Sequence, residues 1–129
     1  MSLIADTDVL IDFLRNRGDE AGRIEIELKT GGLCTTAVSA FELWVGAKSP
    51  QEKVVVQTLL NALFIIPLDA ASAATAGEVF RTLESKGLSI GMADSLIAGI
   101  CLQRDATLIT RNRKHFKRVQ NLKLSPNPT

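Results

Sequence analysis

The chain predicts an α/β domain in which a mainly parallel sheet is covered by helices on both faces. Three observations carry this. Short apolar runs alternate with segments of helical periodicity from one end of the chain to the other. The runs are apolar through their length, as strands buried on both faces are. The 129 residues contain no internal repeat and no linker long enough to divide them, so residues 1–129 form one domain with a core of its own.

Ser2 to Ala5 reads as the first buried strand, ending at Asp6. Asp8 offers an N-cap for an amphipathic helix from Val9 to about Arg15, with Leu10, Phe13 and Leu14 at helical spacing. Arg23 to Thr30 follows as a helix with Ile24 and Leu28 on one side, stopped by Gly31-Gly32. Leu33 to Thr36 is the second strand, followed by a helix from about Val38 to Lys48. Ser49-Pro50 breaks that helix and opens another to about Leu63. Phe64 to Leu68 is a strand whose Pro67 places it at an edge or a strand end. Helices over Ala71 to Lys86 and Met92 to Arg104 lead to the strand Thr107 to Thr110. A helical turn over Arg111 to Phe116 and a last short strand over Asn121 to Leu124 complete the order.

The formal net charge of +1 hides an asymmetry. Up to Asp105 there are nine basic and fourteen acidic residues, net −5; beyond it there are six basic residues and no acid, net +6. The opening MSLIADTD lacks the basic start and apolar core of a signal peptide, and no stretch makes a convincing membrane span. A cytoplasmic protein with no membrane partner is expected. Cys34 and Cys101 sit inside apolar runs and read as buried free thiols.

In a parallel α/β sheet, ligand sites collect beyond the carboxyl ends of the strands. Asp6 stands at the end of the first strand and Thr110 to Asn112 at the end of a later one. Two more acids are isolated in apolar company. Glu42 is the one charge between Thr30 and Ala47, and Asp94 the one between Gly87 and Gln103. Helical spacing puts Glu42 on the face of Val38 and Val45, and Asp94 on that of Ile97 and Ala98. A carboxylate on a buried face needs a raised pKa, a cationic partner or a metal. Taken singly, Asp6 or Asp8 could cap a helix and Asp94 could face a helix N-terminus. Glu42 lies mid-helix and can cap nothing. Together, with no His or Cys cluster, these acids suit a hard cation such as Mg²⁺ or Mn²⁺.

Arg111, Arg113, Lys114, Lys117 and Arg118 crowd five positive charges into eight residues beside this acidic group. Such a run is commonly a solvated face; here a polyanion backbone could bridge it to a metal site, with Arg111, Arg113 and Lys114 at substrate phosphates. His115 has no His or Cys neighbour, which favours a structural or phosphate contact over metal ligation.

The segments IADTDVLIDFLR, TTAVSAFELWVGA, GMADSLIAGICLQRDATLITRN and RKHF with the terminal NLKL resemble the PIN-domain ribonucleases, specifically the VapC toxins of toxin–antitoxin systems. The resemblance runs from end to end. It implies a three-layer α/β/α sandwich with an acidic pocket binding Mg²⁺ or Mn²⁺. It assigns the family's acids to Asp6, Glu42 and Asp94 and its fourth acidic position to Asn112, a departure that weakens the pocket's charge and a second metal site. Asp8 either restores some of that charge or caps the first helix. Thr7 and Thr110 supply hydroxyls around the acids. The implied activity is metal-assisted hydrolysis of RNA. The implied partners are a VapB-type antitoxin and a second copy of the chain, for which Val54 to Val56 and Leu59 to Phe64 offer an interface. A phosphorylated receiver-like module is the first rival, but Leu68-Asp69 matches its phosphoacceptor poorly and TLITRN lacks its Lys. A PIN-like binding or scaffold protein without catalysis is the second, distinguished by an absence of Mn²⁺ affinity dependent on Asp94.

Overall fold

The computed structural model describes residues 2–126, so the ends of the expected domain, Met1 and 127–129, lie outside the described residues. Among the described residues five strands form one sheet in the order β3-β2-β1-β4-β5, every pairing parallel. They are β1 (Leu3–Ala5), β2 (Leu33–Thr36), β3 (Phe64–Ile66), β4 (Thr107–Ile109) and β5 (Lys123–Leu124). The helices are α1 (Thr7–Leu14), α2 (Ala21–Thr30), α3 (Ala37–Gly46), α4 (Pro50–Asn61), α5 (Ala70–Ser85), α6 (Met92–Gln103) and α7 (Arg113–Phe116).

Strand alternation divides the core in two. Ala5, Leu33 and Ile109 point to one face, where α1 to α4 bring Val9, Leu10, Ile24, Leu43, Leu59 and Leu60. Ile4 and Leu108 point to the other, met by Ile97 and Ile100 of α6 and Phe116 of α7. The three-layer sandwich follows from this. The chain runs β1, β2, β3 in one direction and then returns to β4 on the far side of β1. The order reverses between β1 and β4, so their carboxyl ends flank the crevice where such sheets bind ligands. Asp6 extends β1 by donating its N–H to the Ile109 carbonyl at 2.9 Å, which pins the two strand ends together.

Several element limits differ from expectation, each for a local reason. α1 begins at Thr7 because Asp6, in extended conformation, takes the N-cap and accepts the Thr7 N–H; Asp8 lies inside the helix. Thr36 caps α3 through the Ser39 N–H and starts it at Ala37. Ser49 and Glu52 form a full capping box with Pro50 at the first turn of α4. β3 is an edge strand as Pro67 implied, but stops at Ile66. The apolar segment offered for self-association is largely spent on the core: Val56, Leu59, Leu60 and Leu63 face inward, leaving Val54, Val55 and Phe64 exposed. Both cysteines are free, Cys101 buried and Cys34 half-buried. Among the described residues no helix is long and apolar enough to cross a membrane.

α5 and α6 pack against each other through Gly99. A Cβ on Gly99 would stand 2.7 Å from the Ala76 Cβ and N and from the Ser72 carbonyl. Helix propensity alone makes Gly to Ala stabilising by about 1 kcal/mol; overpacking reverses the sign. Gly99→Ala is therefore expected to destabilise by about 1–3 kcal/mol. Gly77→Ala in α5, where a new Cβ meets nothing within 4 Å, is expected to stabilise by about 0.5–1 kcal/mol. Urea unfolding of both variants checks the pair, and stabilisation by Gly99→Ala would contradict this packing.

Candidate active site

Asp6 is 5% exposed. It has one partner from each side of the crevice. Its Oδ1 accepts the Thr7 N–H at 2.8 Å, and its Oδ2 accepts the Thr110 hydroxyl at 2.8 Å. Thr110 Oγ1 in turn accepts the Asn112 N–H at 2.9 Å, and the Asn112 side-chain amide donates to Asp94 Oδ2 at 3.1 Å. On the other side, the Thr7 hydroxyl donates to Glu42 Oε1 at 2.6 Å and lies 2.9 Å from Ser39 Oγ. A hydrogen-bonded path through Asp6 and its neighbour Thr7 thus joins Glu42, Asp6, Asn112 and Asp94, which come from four separate segments. His115 closes the far end, its Nδ1 3.1 Å from Asp94 Oδ2 and 3.0 Å from Asn112 Nδ2.

The charge balance around Asp6 is negative. Burial first, then the nearby Asp8 and Asp94 carboxylates, push its pKa from the ordinary 3.8 up to about 7, against the hydrogen bonds from Thr110 and Thr7. Burial also raises Asp8, although the Arg111 N–H bonds to it and the Arg111 charge work the other way. The Asp6 charge helps burial push the Cys101 thiol up to about 12. The donor set is hard oxygen, and among the described residues Asp6 has no cationic partner, which fits a divalent cation. Among the described residues no three His, Cys, Asp or Glu side chains converge to enclose an ion by themselves. The arrangement suits an ion that keeps several waters and takes one or two carboxylates directly, as Mg²⁺ does.

The expected site residues are placed unevenly. Asp94 shares the face of the buried Ile97 and Ala98 and stands at its rim. Glu42 is half-buried, and Val45 on its supposed apolar face is 61% exposed. The reason to single out Glu42 therefore lies in its contact with Thr7, not in burial. Of the three basic residues expected at substrate phosphates, Lys114 and Arg111 are both exposed, and Arg111 is paired with Asp12. Arg113 is turned inward, donating to the Ser125 carbonyl beside Arg23, with its Nε buried and unpartnered. Sequence reasoning missed Asp12, buried on α1 with Arg111 and Arg17 as partners. The signal was its position one helical turn after Asp8, facing the same way.

The PIN domain family matches residues 3–122. Ribonuclease VapC2 of Rickettsia felis is 32% identical over 127 residues, covering 95% of each chain. This chain belongs to the PIN-domain family of VapC ribonucleases. The tRNA(fMet)-specific endonuclease VapC of Shigella flexneri is 27% identical over 127 residues, covering 95% of this chain and 96% of its own. Among solved structures, VapBC2 from Rickettsia felis, bound to a DNA fragment from its promoter, matches with a TM-score of 0.85 at 32% identity. That match covers 97% of this chain and 98% of the other. The VapC fold, a parallel sheet between helical layers, is thereby the fold of this chain.

A carboxyl whose pKa rises on folding binds its proton more tightly when folded. The unfolded chain ionises Asp6 near 3.8 and the folded chain near 7. Stability of the metal-free protein therefore falls as pH climbs through that window, by an amount on the order of a few kcal/mol. Asp6→Asn removes the cost. Denaturant unfolding in EDTA should show the variant level with wild type near pH 4 and more stable at pH 8; a variant weakened further at pH 8 would contradict the uncompensated charge.

Proposed function

We propose that the chain is a divalent-metal-dependent endoribonuclease, with Asp6 and Asp94 holding Mg²⁺ or Mn²⁺ and Glu42 acting on it through water. The observation that carries this reading is the buried Asp6 carboxyl, crowded by Asp8 and Asp94 at the strand crevice without a cation of its own. A bound divalent ion there supplies an activated water and offsets charge developing on the phosphate. The protein's part is positional. Thr110 and the Thr7 amide fix the Asp6 carboxylate in one rotamer. Thr7 aims Glu42, and Asn112 with His115 fixes Asp94. Lys114, exposed two residues after Asn112, supplies positive charge for RNA phosphates without reading sequence.

Support for a protein partner comes from two surfaces. An apolar groove of about 330 Å³ lies between α1, α3 and α4, lined by Ile11, Leu14, Leu43, Val55 and Val56, and it reaches Glu42. A VapB-type antitoxin seated there has a path to the acids, as a toxin–antitoxin role requires. Phe41 and Val45 on α3 and Phe64 on β3 are more than half exposed and offer a surface to a second copy of the chain. Light scattering at micromolar concentration should give twice 13.9 kDa; a stable monomer would remove the dimer.

Purified protein is expected to cleave single-stranded RNA with Mg²⁺ or Mn²⁺ and to stop in EDTA. Asp6→Ala and Asp94→Ala should each lower the rate by more than about a hundredfold, beyond the loss of a supporting residue. Equal cleavage by wild type and Asp6→Ala, or activity that survives EDTA, would sink the proposal. Absence of both cleavage and Asp94-dependent Mn²⁺ affinity would favour the scaffold alternative.

A further inference from the structure

Thr110, Arg111 and Asn112 connect β4 to α7 without regular structure, yet two of the three touch the acids of the site. Something must hold this loop. Its backbone is held at Arg111, whose N–H reaches both Asp8 oxygens at 3.2 Å. Its side chain is held as well. The Arg111 guanidinium donates through Nε to Asp12 Oδ2 at 2.9 Å and through an Nη to Asp12 Oδ1 at 3.4 Å, the two-pronged geometry that fixes orientation.

The acid is itself fixed from behind. Asp12 is 7% exposed, and its carbonyl accepts the Arg17 N–H at 2.9 Å. Gly18 packs on it in a left-handed conformation at φ +88°, where an added Cβ would sit 2.9 Å from Asp12 Oδ2. Arg17 Nε stands 3.6 Å from Asp12 Oδ1 as a second cation. Asp8 and Asp12, one turn apart on α1, therefore form a rigid rail, and Arg111 bolts the loop to it.

We infer that Asp12 is a positioning residue: through Arg111 it holds the Thr110–Asn112 loop so that Thr110 meets Asp6 and Asn112 meets Asp94. This rests on the ribonuclease reading and reassigns Arg111 from substrate phosphate to loop anchor. The two roles for Arg111 differ in what they change. A phosphate contact acts on RNA affinity and on its salt dependence, whereas an anchor acts on the rate once RNA is bound.

The test uses full-length protein, a fluorescent single-stranded RNA and Mn²⁺, with Asp12→Ala, Arg111→Ala and the double variant. Each single variant is expected to lose about ten- to a hundredfold in kcat with KM within about twofold of wild type. The double variant should be no slower than the slower single one, because both remove one interaction. A raised KM with kcat intact in Arg111→Ala, a weaker salt dependence, or losses that multiply in the double variant would overturn the inference. The Asn112 side-chain amide resonances give a second readout without catalysis. They should move toward those of a free amide in Asp12→Ala, and resonances left in place would also overturn it. If Asp12→Ala does not fold, Asp12→Asn, which keeps the shape and one acceptor, should show the same changes to a lesser degree. If wild type cleaves no RNA, the ribonuclease reading fails, and the amide resonances alone decide the role of Asp12.

Discussion

The structure turns on one buried carboxyl. Asp6 sits where β1 ends, joined to β4 through its own N–H and through Thr110, and it carries a charge that the protein alone does not neutralise. Burying an anion without a partner is costly, and burial together with the Asp8 and Asp94 charges pushes the Asp6 carboxyl up to about 7. The rest of the site is arranged around that group. Thr7 reaches from its neighbouring position to Glu42, and Asn112 reaches from Thr110 to Asp94. The topology makes this possible, since only the reversal of strand order between β1 and β4 leaves their carboxyl ends side by side and open.

The charge asymmetry along the chain takes on a different meaning in three dimensions. The basic segment after Asp105 is not a uniform surface for RNA. Arg111 is spent on Asp12, Arg113 on the Ser125 carbonyl, and Arg118 on the carbonyls of Leu88 and Ser89. Lys123 pairs with Asp105. Arg111 and Lys123 are exposed but paired, whereas Lys114 and Lys117 are exposed with no ion pair among the described residues. Arginines here close loops and strand ends, where a planar, multi-donor group can satisfy backbone carbonyls and carboxylates, while lysines remain in solvent.

Much of this was legible in the sequence, for physical reasons that also set the limit. The succession of strands, the helical layers and the placement of Asp6 and Asn112 at strand ends follow from apolar runs and from the rule for parallel sheets, whereas the strand order came from the fold alone. Asp94 stood out because a single charge in an apolar helix has few explanations. Glu42 was reached by an argument that its surroundings do not sustain, since Val45 faces solvent and the Thr7 contact, thirty-five residues away in sequence, is what matters. Asp12 was legible only as an acid one helical turn after Asp8, with no partner in view. An acid on an amphipathic helix reads as a solvated face, and only the fold reveals Arg111 arriving opposite it. Arg113 read as basic surface for the same reason, because no local pattern announces a partner twelve residues on.

The proposed site of the divalent cation is the Asp6 carboxylate, in the crevice between β1 and β4. Crystals soaked in Mn²⁺ and measured at a wavelength where manganese scatters anomalously test it most directly. One strong peak is expected within coordination distance of an Asp6 oxygen, on the Asp94 side, and it should disappear in Asp6→Asn. A peak held elsewhere, or no peak at Asp6 in crystals of protein that cleaves RNA with Mn²⁺, would contradict it.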